Sequence, residues 1–504
     1  MRTYFPAKFF LTAALMSLLI SACQPPAASI PPQPSLIPTR TMTPEVTQPP
    51  IPSGYVEYLS QSGDTLTAVA AHFGVALRDI MFEGDLDPEL LLDPSSRLLV
   101  RDILDETTPH DLLIPDSDVV YSPSALGFDI ATYATHWQGY LSTYTEIMTR
   151  GTTPGHEIMY ELALEHSINP RILLTLLEYG SGWVTSQPEN LDERNYPMGW
   201  IKSDRPGIYF QTGWAIRQLA QGYYGWRSGE LVELVFKDQT SLRLSPYLNA
   251  GSVALMYTLA QITSQDEWHE ALYGQHNIIT VHNLLFDDPW ERASLVEPLF
   301  PAGSEQPSMN FPFLPNQRWA LTNGPHPAWG LYGARAALDF APGGVSGCNA
   351  SNRISTAAAA GRVVRSGSGV VVIDLDADGN EQTGWVLVYN HIANLDRVEV
   401  GQYLQVDDLV GYPSCEGGSA TGTHLHIARK FNGEWVLADG GLPFVLSGYR
   451  AYNGERDCKG DRFCQGYLDN GERRITADAY GNAGTITIRP DSDPKYFWTP
   501  TPKP

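Results

Sequence analysis

Gly422-Thr423-His424-Leu425-His426-Ile427-Ala428-Arg429 is the stretch whose reading decides the fold of the C-terminal region. His424 and His426 alternate with Leu425 and Ile427. Residues i and i+2 of a strand share a face, so the pattern predicts a strand with two imidazoles on one side and two aliphatic chains on the other. Working outward, short β-rich runs at 361–364, 369–374, 385–389 and 398–404 are separated by Gly, Asp and Asn turns. They predict an antiparallel β domain over 305–450, a β extension over 451–498 and a tail over 499–504.

Four of the twelve histidines lie in this domain: His326, His391, His424 and His426. Two imidazoles entering one site can divide the work, one ligating a metal while the other hydrogen-bonds reacting groups. Adding His326 and Asp339 gives a His/Asp/His set, and three protein ligands with one position open is the arrangement of catalytic zinc. The other eight histidines have no such constellation. Asp374, Asp376 and Asp378 mimic the start of a calcium loop, but Trp385 occupies the twelfth position, so they read as an acidic hairpin turn.

These motifs together resemble the lysostaphin-type zinc endopeptidases of peptidoglycan. "LDFAPGG" (338–344) is similar to their aspartate strand, and "ISTAAAAGRVV" (354–364) to the strand after it. "LVYNHIANL" (387–395) is similar to their Tyr-x-His strand, and "GTHLHIAR" (422–429) to their terminal HxH strand. Most members place the first zinc histidine four residues before the aspartate, where this chain has Arg335. The staphylolysin and β-lytic branch uses a histidine thirteen residues earlier, the place of His326, and "NGPH" (323–326) has the look of that branch. The resemblance implies Zn2+ held by His326, Asp339 and His426, catalytic roles for His391 and His424, and substrate contacts from Asn323 and Tyr389.

The N-terminus explains the odd count of five cysteines. Arg2 and Lys8 precede an apolar run from Phe9 to Ile20 that ends in Ser21-Ala22-Cys23. Small residues before Cys resemble the lipobox of bacterial lipoproteins. That implies cleavage after residue 22, acylation of Cys23, a membrane anchor and an extracytoplasmic place in the cell envelope. Residues 23–53 form a Pro-rich stalk with ten prolines. In polyproline II it would reach roughly 90 Å at ~3.1 Å per residue. The remaining Cys348, Cys415, Cys458 and Cys464 allow three pairings. Joining Cys348 to Cys415 would clamp the segments that bear the site, and joining Cys458 to Cys464 would close a small loop.

Residues 54–101 place "GDTL" (63–66) before helical spacing of Leu66, Val69, Ala70 and Phe73, then a second amphipathic stretch from Leu77 to Leu92 and the strand Leu98-Val100. This β-α-α-β order resembles a LysM module, which implies binding of peptidoglycan glycan. Residues 102–135 read as a linker. Residues 136–300 read as an all-α domain, with helices at 156–167, 170–177 and 249–262; Asn169-Pro170 supplies a cap and a first-turn proline. "INPRILLTLLEYGSGW" (168–183) resembles the catalytic-helix region of lysozyme-like lytic transglycosylases, which implies Glu178 as a muramidase acid. The favoured reading is a non-catalytic helical domain, glycan-binding or purely structural, with muramidase chemistry at Glu178 as the alternative.

Lys plus Arg number 33 against 56 Asp plus Glu, a net charge of −23. Nucleic-acid binding rests on basic surface, so that partner is excluded. The expected protein is multidomain and acts on the peptide part of peptidoglycan, stem or cross-bridge, while holding glycan. The alternatives are a catalytically inactive envelope scaffold or hydrolase activator, and a secreted protease acting on Gly-rich proteins.

Overall fold

The HxH strand, Leu425–Phe431, sits inside an antiparallel sheet of nine strands. From one edge the order is Tyr403–Leu404, Gly361–Gly367, Val370–Asp374, Trp385–Asn390, Leu425–Phe431, Ala337–Pro342, Arg318–His326 and Ile486–Ile488; Glu434–Trp435 folds back onto the HxH strand. The structure, a computed structural model, describes residues 50–82, 87–455 and 463–490. The expected signal segment, Cys23, nearly all of the expected stalk, Cys458 and the expected tail lie outside the described residues. Among the described residues no helix is long and apolar enough to cross a membrane.

Alternation along each strand gives the sheet two different faces. Val371, Ile373, Leu387, Tyr389, Leu425, Ile427, Leu338 and Phe340 point into a core closed by Phe311, Phe313 and Trp319. Their neighbours Val370, Val372, Val386, Val388 and Ala428 point the other way, into a core shared with the helices. Burying each such aliphatic side chain contributes about 1.5–3 kcal/mol. The extension adds the sheet of Val445–Leu446, Tyr449–Asn453, Gly466–Asp469 and Arg474–Thr476.

The helical layer covers that second face. Its axis is the 20-residue helix Ile208–Arg227, packed on Ala250–Ala260. Gly222 makes the close approach feasible, since a Cβ there would lie 2.7 Å from Ala254 Cα. Asn169 caps Pro170–Ser181 by accepting from the Arg171 N–H at 3.0 Å, and the helix stops at Gly182 in the left-handed region (φ 64°). The linker reading of 102–135 needs correction. Ile114, Val119 and Val120 are fully buried in the helical core, and Ile130–Trp137 is a helix. Composition hides this, because the segment is rich in Asp, Ser and Thr and carries no period.

The small N-terminal module is the sheet Tyr55–Leu59, Arg97–Arg101, Ile80–Phe82 with one helix, Leu66–Phe73. The predicted second helix is replaced by a 3-10 turn at Leu77–Asp79 and the strand Ile80–Phe82. The apolar residues there pair with the Arg97–Arg101 strand instead of facing a helical partner. The module docks through His72, whose ring stacks on Trp226 at 3.6 Å.

One side chain joins all the parts. Arg227 is buried and reaches Glu434 of the β domain (3.0 Å), Asp116 of the segment before the helices (2.7 Å) and the carbonyl of Ser62 in the small module.

Candidate metal centre

Strand register brings the chemical residues into one row. Asn390 pairs with His426, His426 with Asp339, and Asp339 with Asn323, so four neighbouring strands each present one of them at the same level. All are on the face opposite Leu425 and Phe340. The register between the Arg318–His326 and Ala337–Pro342 strands then shifts between Asn323 and His326, and His326 pairs with Ala337. This irregularity returns a histidine thirteen residues before Asp339 to its side.

The ligand atoms of His326, Asp339 and His426 lie within 4.8 Å of one another. His326 Nε2 is 3.0 Å from His426 Nδ1 and 3.3 Å from Asp339 Oδ1, and His426 Nδ1 is 3.1 Å from the same oxygen. His424 Nε2 stands 3.6 Å from Asp339 Oδ2, and Asn323 donates to that oxygen at 3.3 Å. The rings of His391 and His424 lie 4.3 Å apart.

The outward nitrogen of each imidazole is tied to a backbone carbonyl. His326 Nδ1 donates to Gly324 (2.8 Å), His424 Nδ1 to Gly422 (2.7 Å), His391 Nδ1 to Glu416 (2.8 Å) and His426 Nε2 to Ala328 (3.0 Å). On His326, His391 and His426 this bond fixes a tautomer and leaves the other nitrogen with its lone pair. Burial alone pushes Asp339's carboxyl up, but His326 and His424 beside it, and the close approach of the His326 and His426 rings, hold it well below the ordinary range. Burial pulls His326 down; Asp339 more than reverses that, so it is raised. Burial pulls His426 down in spite of Asp339. Burial, then His424 and His426, pull His391 to about 4, so it is neutral at pH 7. An ionised carboxylate and two imidazoles with lone pairs converging on a point are the donor set that suits zinc.

The remaining candidates fall elsewhere. Arg335 turns away from the centre to an ion pair with Glu230 of the helical layer. Tyr389 is fully buried on the opposite face, its hydroxyl accepting from the Ala358 N–H at 2.8 Å, which makes it a core residue and corrects the substrate-contact expectation. The carboxylate of Glu178 accepts from the N–H groups of Val184 (2.8 Å) and Thr185 (3.1 Å) and from the Thr185 hydroxyl; it caps a loop and is not a free acid. Cys348 and Cys415 form a disulfide, with Cα atoms 5.6 Å apart. Beside it Thr423 donates to the carbonyls of Gly347 (2.7 Å) and Asn349 (2.6 Å), bracing the start of the HxH strand. Cys464 is buried and its N–H donates to Asn323 Oδ1 at 2.7 Å. Asp374, Asp376 and Asp378 also gather, and Asp374 accepts from the N–H groups of Asp376, Ala377 and Gly379 in a hairpin turn. Sequence reasoning missed Ala328 and Glu416, which act through backbone carbonyls; no side-chain signal marks such roles.

Residues 112–300 match the family model described as LasA, N-terminal domain. The chain is 26% identical over 362 residues to Protease LasA of Pseudomonas aeruginosa (strain UCBPP-PA14), spanning 66% of this chain and 73% of that protein. It is 27% identical over 181 residues to the beta-lytic metalloendopeptidase of Achromobacter lyticus, spanning 32% of this chain and 46% of the relative. Among solved structures, the M23 metalloprotease pseudoalterin matches 34% of this chain and 96% of its own, at 24% identity and a TM-score of 0.27. The catalytic domain of lysostaphin from Staphylococcus simulans matches 24% of this chain and 90% of its own, at 21% identity and a TM-score of 0.18. By its sequence matches the chain is a homologue of metalloendopeptidases.

Proposed function

We propose that the chain is a zinc endopeptidase that hydrolyses peptide bonds in peptidoglycan, anchored to the cell envelope through Cys23. The observation that carries the reading is the convergence of His326, Asp339 and His426, with His391 and His424 beside them. The sequence likeness to a LasA protease and a beta-lytic metalloendopeptidase supports the reaction class.

His326, Asp339 and His426 would hold the ion. Bound zinc supplies Lewis-acid activation of water and of the scissile carbonyl. The protein's own residues supply the rest. His391 is neutral, with Nδ1 committed to Glu416, so Nε2 takes the proton from the attacking water and hands it to the leaving amine. His424 stands beside it, steadying charge that develops on the carbonyl oxygen. Asn323, tied to Asp339 and to Cys464, would contact the peptide. The module at 54–101 would hold glycan near the site.

The test compares zinc content and muropeptide release for wild type, His326→Ala and His424→Ala. The first variant loses both metal and activity. The second keeps its metal and loses activity by at least a hundredfold, in the range that general acid–base groups contribute (~10²–10⁴). Full release by either variant removes the reading.

A further inference from the structure

A cavity of about 460 Å³ opens where the small module, the helical layer and the β domain meet. That volume lies within the range of ligand sites, and domain junctions are where such sites occur. Glu89 comes from the small module, Glu230 and Tyr257 from the helical layer, and Tyr332, Arg335 and Asp439 from the β domain.

Its charges do not balance. Arg335 is committed to Glu230, and the deeper Arg227 to Glu434 and Asp116. Glu89 accepts only from the Thr67 hydroxyl (2.9 Å), and Asp439 only from the Asn453 N–H (2.7 Å); among the described residues neither carboxylate is in an ion pair. Burial lifts Asp439's carboxyl above its ordinary value, and Glu89 adds to the lift against Asn453, Arg450 and Arg335. A cation between the two would relieve both effects.

One wall of the cavity is the loop that joins the two metal-bearing strands. Residues 327–336 run from His326 toward Asp339, and the loop is closed by the Ala328 N–H on the Ala334 carbonyl at 2.9 Å. From its outer side it presents Tyr332 and Arg335 to the cavity. From its inner side the Ala328 carbonyl fixes the His426 ring.

We propose that this cavity is a second binding site, for a peptide carrying a primary ammonium group, and that its occupancy changes metal affinity through the loop 327–336. Binding stands without the peptidase reading, whereas the coupling rests on the metal centre of that reading.

The experiment titrates Nα-acetyl-Lys-Gly-Gly, and its Nε-acetylated form, into the full chain by calorimetry. The protein is used metal-free and zinc-loaded, with His424→Ala in the loaded form to prevent turnover. The ammonium peptide should bind the metal-free protein saturably. Glu89→Gln and Asp439→Asn should each weaken it at least fivefold; Asn at 439 keeps the acceptor for Asn453, and Glu89 is exposed, so folding should persist and is checked by circular dichroism. Zinc affinity should differ at least twofold with and without saturating peptide, since coupling between sites is reciprocal. Absent binding, equal binding of the acetylated peptide, or indifference to both substitutions overturns the site. Unchanged zinc affinity overturns the coupling. An inactive enzyme that still binds the peptide in this pattern would fail the peptidase reading and uphold the site.

Discussion

Glu381, in the connection between two central strands, is buried and meets Arg365 Nε at 2.8 Å and Lys430 Nζ at 2.8 Å. Burial pushes its carboxyl up, but Lys430 and Arg365 outweigh that and bring it to about 2. Burial also pulls Lys430 down in spite of the pairing, so the two cations on one carboxylate, not the lysine alone, set the direction. A carboxyl depressed in the folded state stabilises above its unfolded value, near 4.5, and that contribution disappears as pH falls toward 2. Glu381→Gln should therefore cost about 3 kcal/mol at neutral pH, the scale of a broken buried pair. The gap from wild type should close between pH 5 and pH 2 in urea titrations. At this scale the sequence was most legible at the candidate metal centre. The His326–Asp339 spacing and the alternation of His424 with Leu425 could be read directly. Tyr389 could not: its i, i+2 spacing would put it on the face of His391, but the strand ends at Asn390 and His391 turns into the left-handed region (φ 62°), so the two part. Glu178 likewise kept its place at a helix end, but its partners at 184 and 185 arrive only when the chain turns back.

The strands ending at Gly367 and beginning at Val370 are joined by Ser368 and Gly369, both in the left-handed region (φ 49° and 81°). Such a two-residue turn suits the twist of a hairpin. A Cβ on Gly369 would lie 2.5 Å from the backbone nitrogen of Gly417, next to the Glu416 carbonyl that orients His391. Gly369→Ala should push the 416–418 segment off His391 and lower kcat at least tenfold while zinc content stays full. Metal analysis beside steady-state rates separates this from a loss of ligands. The strands and capped helices were legible as elements: Asn169 before Pro170 predicts the start of its helix, and Asn249 caps Ala250–Ala260. The second helix of the small module was not, because Leu77, Ile80 and Met81 keep a helical spacing while Ile80 and Phe82 keep that of a short strand. Tertiary pairing with Arg97–Arg101 decided between them.

Across the whole molecule the parts are held by shared burial more than by connectors. Arg227, Glu434 and Asp116 form an ion cluster at the meeting of three segments that are distant in sequence. Arg227→Met would leave two carboxylates buried without their cation, a change that costs about 3–5 kcal/mol. Urea denaturation should show that loss, followed by tryptophan fluorescence, as a shift of one cooperative transition. Domain edges were the least legible feature, because residues 102–135 have linker-like composition and yet fill the core with Ile114, Val119 and Val120.

The core running from Leu173 and Trp226 through to Val372 and Val388 has a bearing on how such a chain can be cut. Segment 301–303, between helices and sheet, is exposed and open to a protease. Severing it leaves both pieces seated, since among the described residues the helices are what covers the aliphatic sheet face. Stripping the helices off would bare that surface to water and invite self-association, so a nicked molecule keeps its shape and its solubility only while the fragments stay together.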